Sequence, residues 1–407
     1  MAPVDVFSLS HQGPVTCHAF NGDRSQVAVS LNNNEVRIYA RAGNDWNHIE
    51  TLTEHDKPIT SIDWAPNSNR IVTSAQDRNA YVWTLTPDPQ TGHMTWKPTL
   101  VLLRINRAAT YVRWSPNEDK FAVASGARAI AICSFDPEGD WWVSRLLKKP
   151  IRSTVLSVDW HPNNVLLAAG SADMKARVFS AYIRTDRPSA SVWGEKLPFN
   201  TICGEYASPS GGWVHDVAFS PSGDVLAFVS HDSTVNIVYP GGPTVFTIKM
   251  SSLPLATLTW TTEESIVAAG HDCQPLVFAG NTTGWEAIGT LDDPQASKAP
   301  GGGRGGMGAS PVGRLNSAAF NTFRNAAERG ISNVPGSPTA GGAGESELFT
   351  VHQNTITSVR PYAGERGAVS QVSTSGVDGK LVVWDANAVT PISAAGLTGK
   401  LGKMSMR

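Results

Sequence analysis

Residues His55–Leu85 read HDKPITSIDWAPNSNRIVTSAQDRNAYVWTL, and this stretch decides the fold. A short strand closes on Trp64, a Pro-containing turn follows, then come a second strand, a turn bearing Asp77, and a third strand closing on Trp83. Working outward, the same phrase recurs. First-strand anchors fall at Phe20, Trp64, Trp114, Trp160, Phe219 and Trp260, spaced 44, 50, 46, 59 and 41 residues apart. Third-strand anchors fall at Tyr39, Trp83, Cys133, Phe179, Val238, Phe278 and Trp384. Six residues before each lies a turn position, held by Asn33, Asp77, Ala127, Asp173, Asp232, Asp272 and Asp378. Units of about 40–45 residues with this content predict an all-β, seven-bladed WD-repeat β-propeller.

Apolar and polar residues alternate in VTCHAF, ITSIDW and LVVWDA, so each strand has one face to bury. The turn Asp accepts hydrogen bonds from nearby backbone N–H groups and fixes a tight hairpin. Trp or Phe fills the space between radially packed sheets. A second series, Trp46, Trp96, Trp142, Trp193 and Trp285, runs five or six residues ahead of Leu52, Leu102, Leu147, Phe199 and Leu291. These read as the outer strands of blades one to four and six. Blade seven lacks such a strand after Trp384, and the strand-like Val6–Ser10 is expected to supply it, closing the ring with both chain ends. Residues 1–290 thus hold the closing strand and blades one to six, residues 348–390 blade seven, and residues 391–407 a C-terminal tail.

A net charge of −2 gives no global pull toward nucleic acid or an anionic membrane. Four cysteines, Cys17, Cys133, Cys203 and Cys273, lie far apart with no CxxC, which points to reduced thiols in a reducing compartment. MAPVDVFSLS lacks the basic and apolar segments of a signal peptide, and no apolar run is long enough to span a membrane. The expectation is a soluble, intracellular protein.

The repeat grammar stops between Leu291 and Leu348. QASKAPGGGRGGMGAS and NVPGSPTAGGAGES are rich in Gly, Ala, Ser and Pro and are expected to be flexible. Between them, PVGRLNSAAFNTFRNAAERG has Ser310 as N-cap, Pro311 at the first helical position and Gly330 as the stop. A helix near 311–329 would align Leu315, Ala319, Phe323 and Ala326 in one stripe, with Phe320 at its margin and Arg314 and Arg324 flanking it. Spacing alone leaves two readings open: the helix docks back on the ring, or it protrudes to lay its stripe in a partner's groove.

Catalytic chemistry is not indicated. His55-Asp56, His231-Asp232 and His271-Asp272 look like acid–base pairs, but Asp232 and Asp272 are repeat turn positions and His55 opens its repeat. GxSxG, HExxH and P-loop motifs are missing, and the ten histidines lack metal-ligand spacing. Inner-strand channel positions show no obvious set of clustered carboxylates or histidines. The Gly302–Gly306 run resembles a single RGG box and reads as a spacer. No catalytic, cofactor or metal residues are assigned, and Trp64, Asp77, Trp83, Trp114, Trp160, Asp173, Asp232, Asp272, Asp378 and Trp384 are read as structural blade anchors.

Beyond the repeats, HDKPITSIDWAPNSNRIVTSAQDRNAYVW, the stretch from ATYVRWSP through KKPIRSTVLSVDWHPNN to VFSAYI, and GGWVHDVAFSPSGDVLAFVSHDSTVNIV closely resemble the WD-repeat subunit family, subunit 1, of the actin-related protein 2/3 complex. The similarity covers nearly all of residues 1–290 and 346–390. Its specificity lies in non-repeat details: Ala127 at a turn position, the Trp141-Trp142 pair, and KKPIRSTVLSVDWHPNN. SAAFNTF matches a family helix between blades six and seven in place and character, while the linkers around it are longer and more Gly-rich than the family's. The resemblance implies a non-catalytic scaffold without cofactor, packed against other subunits including an actin-related protein. It further implies that Arg314, Leu315, Ala319, Phe320, Phe323 and Arg324 touch the mother actin filament from which a branch grows. Acidic segments of nucleation-promoting factors are a further implied partner, and the implied location is cytoplasm, cytoskeleton and cortical actin patches. The rivals are a WD adaptor of a ubiquitin ligase or chromatin complex, and a propeller enzyme with its site in the channel.

Overall fold

The computed structural model describes residues 3–391 apart from 10–11, 44, 185, 187–189, 195–196, 242–244 and 293–349. Every regular element among them is a strand, and the strands form seven sheets. In blade two, Ile59–Trp64, Ile71–Ala75, Ala80–Pro87 and Met94–Val101 pair antiparallel in chain order, with Trp64 opposite Ile71 and Ile71 opposite Trp83. The inner strands touch one another in a closed cycle in which blade seven returns to blade one. The architecture is the seven-bladed propeller that the spacing implies.

Seven apolar clusters fill the seven interfaces between blades. The anchors Trp64, Trp114 and Trp160 are 4%, 7% and 3% exposed, so each sits inside an interface rather than on the rim. The third-strand anchors from Tyr39 to Trp384 are buried as well. Asp5–Ser8 forms the outer strand of blade seven, placing Val6 opposite Val382 and Phe7 opposite Leu381. Phe7 then packs edge-on against Tyr39 of blade one, ring centroids 5.2 Å apart, so the N-terminal segment also joins the first and last blades.

Three local readings need correction, and blade seven departs from the anchor series. The outer strand of blade four is Ile202–Ala207, not the segment from Trp193 to Phe199. Trp193 lies in the preceding loop, where its Nε1 donates to the Gly223 carbonyl (2.7 Å) and its ring meets Phe219 of blade five (5.8 Å). Leu102 lies just past the outer strand of blade two and is exposed, because Val101 takes the buried place. In blade seven the face toward blade six is filled by Ile356 and Val359 rather than by an aromatic first-strand anchor, while Tyr362 lies on the other face, buried against Phe20 with centroids 4.9 Å apart. Finally, after Trp384 the chain crosses back and adds Thr390–Pro391 as a fifth strand on the outer edge of blade six.

Candidate interaction face

The histidine–aspartate pairs resolve into structural networks. His55 Nδ1 meets Asp77 Oδ2 at 2.7 Å and its Nε2 meets Thr73 Oγ1 at 2.8 Å, while Trp83 Nε1 donates to the same hydroxyl at 3.0 Å. His352, Asp378, Thr374 and Trp384 repeat this arrangement in blade seven. Burial alone would raise the Asp77 carboxyl. The His55 ring and the N–H groups of Asn79 and Asp56 outweigh it and hold the group below the usual carboxylate range. The turn aspartates therefore bind the preceding connection as well as their own hairpin: Asp232 takes Ser210 N–H and the Ser208 hydroxyl, and Asp173 takes Arg152 N–H. Asp272 likewise meets Ser252 and the Leu253 N–H of the preceding connection, but there burial prevails and raises the carboxyl. At Ala127 the Ser125 hydroxyl substitutes, accepting from Ala127 N–H.

The inner strands do gather charge, contrary to the sequence reading. Asp63, Asp159 and Asp216 share this region with Arg113 and Arg360. Their lone pairs are committed to the ring itself. Asp63 accepts from Trp114 N–H (2.8 Å), Asp159 from Phe219 N–H (2.7 Å) and Asp216 from Leu258 N–H (3.0 Å), each reaching the next blade. Arg360 of blade seven passes blade one and pairs with Asp63 of blade two at 2.6 Å. Burial, outweighing the Leu258 N–H and the Arg113 charge, pushes the Asp216 carboxyl up to about 6. These groups fasten blades.

The upper face, carrying the second-to-third-strand turns and the connections between blades, is where free chemistry collects. Lys57, Arg78, Arg104, Arg107, Arg128, Lys148, Lys149 and Arg152 are all exposed on turns or connections of blades two to four. None is engaged in an ion pair among the described residues. Their exposed neighbours of opposite sign are Glu54 and Asp56, since Asp77 is held by His55 and Asp173 by Arg177. Farther round, Met174, Trp213 and Leu253 expose apolar surface, and Trp213 lies 5.8 Å from the His231 ring. Gly212 lets that connection approach closely: a Cβ there would lie 2.5 Å from Asp232 N.

The insertion is rooted on this same face, between the outer strand of blade six and the inner strand of blade seven. Its roots are tied together, with Val351 N–H donating to Asp292 Oδ2 at 2.7 Å. The residues assigned to filament contact, Arg314, Leu315, Ala319, Phe320, Phe323 and Arg324, lie outside the described residues. The basic surface escaped the sequence reading because its members sit in separate repeats. Arg78 and Arg128 directly follow turn positions, and comparing those positions between repeats is the signal that exposes it.

The family profile described as "WD domain, G-beta repeat" matches residues 46–84, 145–180 and 201–238. Subunit 1 of the actin-related protein 2/3 complex from Schizosaccharomyces pombe is 51% identical over 90% of this chain and 95% of its own length. Subunit 1A-B from Xenopus laevis is 47% identical over 91% of this chain and 94% of its own. Subunit 1 from Saccharomyces cerevisiae is 38% identical over 92% and 95% respectively.

Proposed function

The chain belongs to the family of actin-related protein 2/3 complex subunit 1, and from that premise we propose that it is a non-catalytic scaffold of that complex, supporting nucleation of branched actin filaments. The observation carrying the reading is the pairing of a closed ring, whose charged inner groups are spent on its own blades, with an insertion rooted at one point of the upper face. A rigid ring offers several faces for assembly, and a single rooted segment suits one transient contact. Its partners on this reading are the other subunits, including an actin-related protein, and its location is cytoskeletal.

Two contacts follow. The insertion presents Leu315, Phe320 and Phe323, flanked by Arg314 and Arg324, to the mother filament, an acidic surface. The exposed cations of blades two to four receive acidic segments of nucleation-promoting factors. Replacing Leu315, Phe320 and Phe323 together by Ala tests the first. Folding and assembly remain intact, while attachment to filament sides and branch frequency fall at least tenfold, each buried anchor contributing about 1–2 kcal/mol. Normal branching with normal assembly overturns the filament contact, and failed assembly places the helix in the subunit core. Native purification tests the scaffold role: actin-related proteins in equal amounts support it, and cullin adaptors or histones in their place refute it.

A further inference from the structure

The lower face, opposite the basic surface, carries a second contact region with inverted charge. Two hollows adjoin there, of about 350 Å³ and about 440 Å³. The first lies among Val192 of blade four, Tyr239, Pro240 and Phe246 of blade five, and Thr282 of blade six. The second lies along the outer hairpin of blade six, beside Trp285 and Ile288. Trp285 Nε1 donates to Tyr239 Oη at 2.9 Å, so one hydrogen bond forms the ridge between them. Val192 is 56% exposed and Ile288 37%, leaving an apolar floor open to solvent in a chain whose other large apolar groups mostly fill blade interfaces.

The rim is acidic. Asp224 lines the first hollow and Glu286 the second, and both are exposed. Glu264 and Glu263 stand close enough to Tyr239 to reinforce, after burial, the rise of its phenol pKa. No Lys or Arg lines either hollow. We propose that this lower groove of blades four to six docks a partner-protein segment that carries a bulky apolar side chain flanked by lysines or arginines. The aromatic floor takes the apolar side chain, and the four carboxylates select the cationic flanks and disfavour an acidic chain. The ring thus has an acid-accepting side and a base-accepting side, so one subunit engages two partners of opposite charge without competition.

A photocrosslinking residue, benzoylphenylalanine, in place of Val192 tests this in the full-length chain purified with its stoichiometric partners. The expected product is a crosslink to a segment of another protein with at least two Lys or Arg beside an apolar residue. The variant Asp224→Lys with Glu286→Lys lowers that crosslink at least tenfold while the melting temperature and the binding of acidic segments to the upper face stay unchanged. A crosslink within this chain, to a second copy, to lipid or to an acidic segment overturns the proposal, as does no crosslink in the intact assembly. A yield insensitive to charge reversal overturns the basic character of the partner. Loss of subunit membership would instead appear as a change in co-purifying proteins, a separate readout.

Discussion

His55 is 2% exposed and has both ring nitrogens in hydrogen bonds, so removing a partner strands a buried polar group. Asp77→Ala or Thr73→Val is expected to cost about 1–3 kcal/mol in urea unfolding, and the matching change at Asp378 a similar amount. A loss below a few tenths of a kcal/mol would remove the network from the account of stability. Protonation acts at the same scale. Burial lowers His18, His161 and His215, with His161 and His215 falling to about 4. The unfolded chain binds these protons near pH 6.5, so the histidines' stabilisation is complete above that pH and is lost as pH falls through about 4. Asp216 runs the other way, stabilising at low pH and losing that contribution as pH rises through about 6. Between pH 7.5 and 5.5 three histidines, at about 1 kcal/mol each, outweigh Asp216, of about the same size, together with Asp159 and Asp272, which burial raises less. Stability should therefore fall, and an unchanged or higher urea midpoint at pH 5.5 would contradict the assigned directions. The anchors were legible in sequence because Trp and Phe recur at fixed offsets. Blade seven breaks the series because Ile356 and Val359, not an aromatic, fill its face toward blade six, and its first two strands are longer than the others.

At the scale of elements, the N-terminal strand joins the two ends of the ring. Deleting residues 1–10 removes the ladder to Lys380–Asp385 together with the ring of Phe7 and the fully buried Leu9. Burying two such side chains is worth about 1.5–3 kcal/mol each, and the deletion also exposes the Lys380–Asp385 edge. The melting temperature should drop by at least about 5 °C and aggregation should rise. A truncated chain that melts like the intact one would refute closure by this strand. The signal for this element was clear because an apolar alternation preceded the first repeat with no other sheet to join. Blade four misled for a physical reason. Trp193 fills an interblade space as an outer-strand Trp does, but from outside the strands, between the one ending at Ser180 and the one beginning at Ile202. Spacing between a Trp and an apolar residue reports burial, not the backbone state that delivers it.

For the whole molecule, sequence cannot show which charges share a face, because Lys57 and Arg152 come to the same side only when the ring brings successive turns there. The chain's net charge of −2 conceals this, averaging a basic upper surface with lower-face carboxylates such as Asp224, Glu263 and Glu286. Separation of sign across a rigid body orients encounters: an acidic segment is drawn to one side and repelled from the other. Arg128→Glu, Lys149→Glu and Arg152→Glu together should weaken binding of an acidic activating segment by at least tenfold at low salt. Each exposed charge pair is worth about 0.2–1 kcal/mol and each reversal adds repulsion to the loss. Because these side chains have no ion-pair partners among the described residues, the variant should fold and assemble normally, with stability changed by no more than about 0.5 kcal/mol per site. The difference from the parent should shrink as salt rises and the Debye length falls below about 8 Å. Titration of the assembled complex with a labelled acidic segment across a salt series reads this directly. Equal affinity of variant and parent at low salt would exclude the upper face as the acidic segment's site, and a difference that persists undiminished at high salt would mean that packing, not charge, governs the contact.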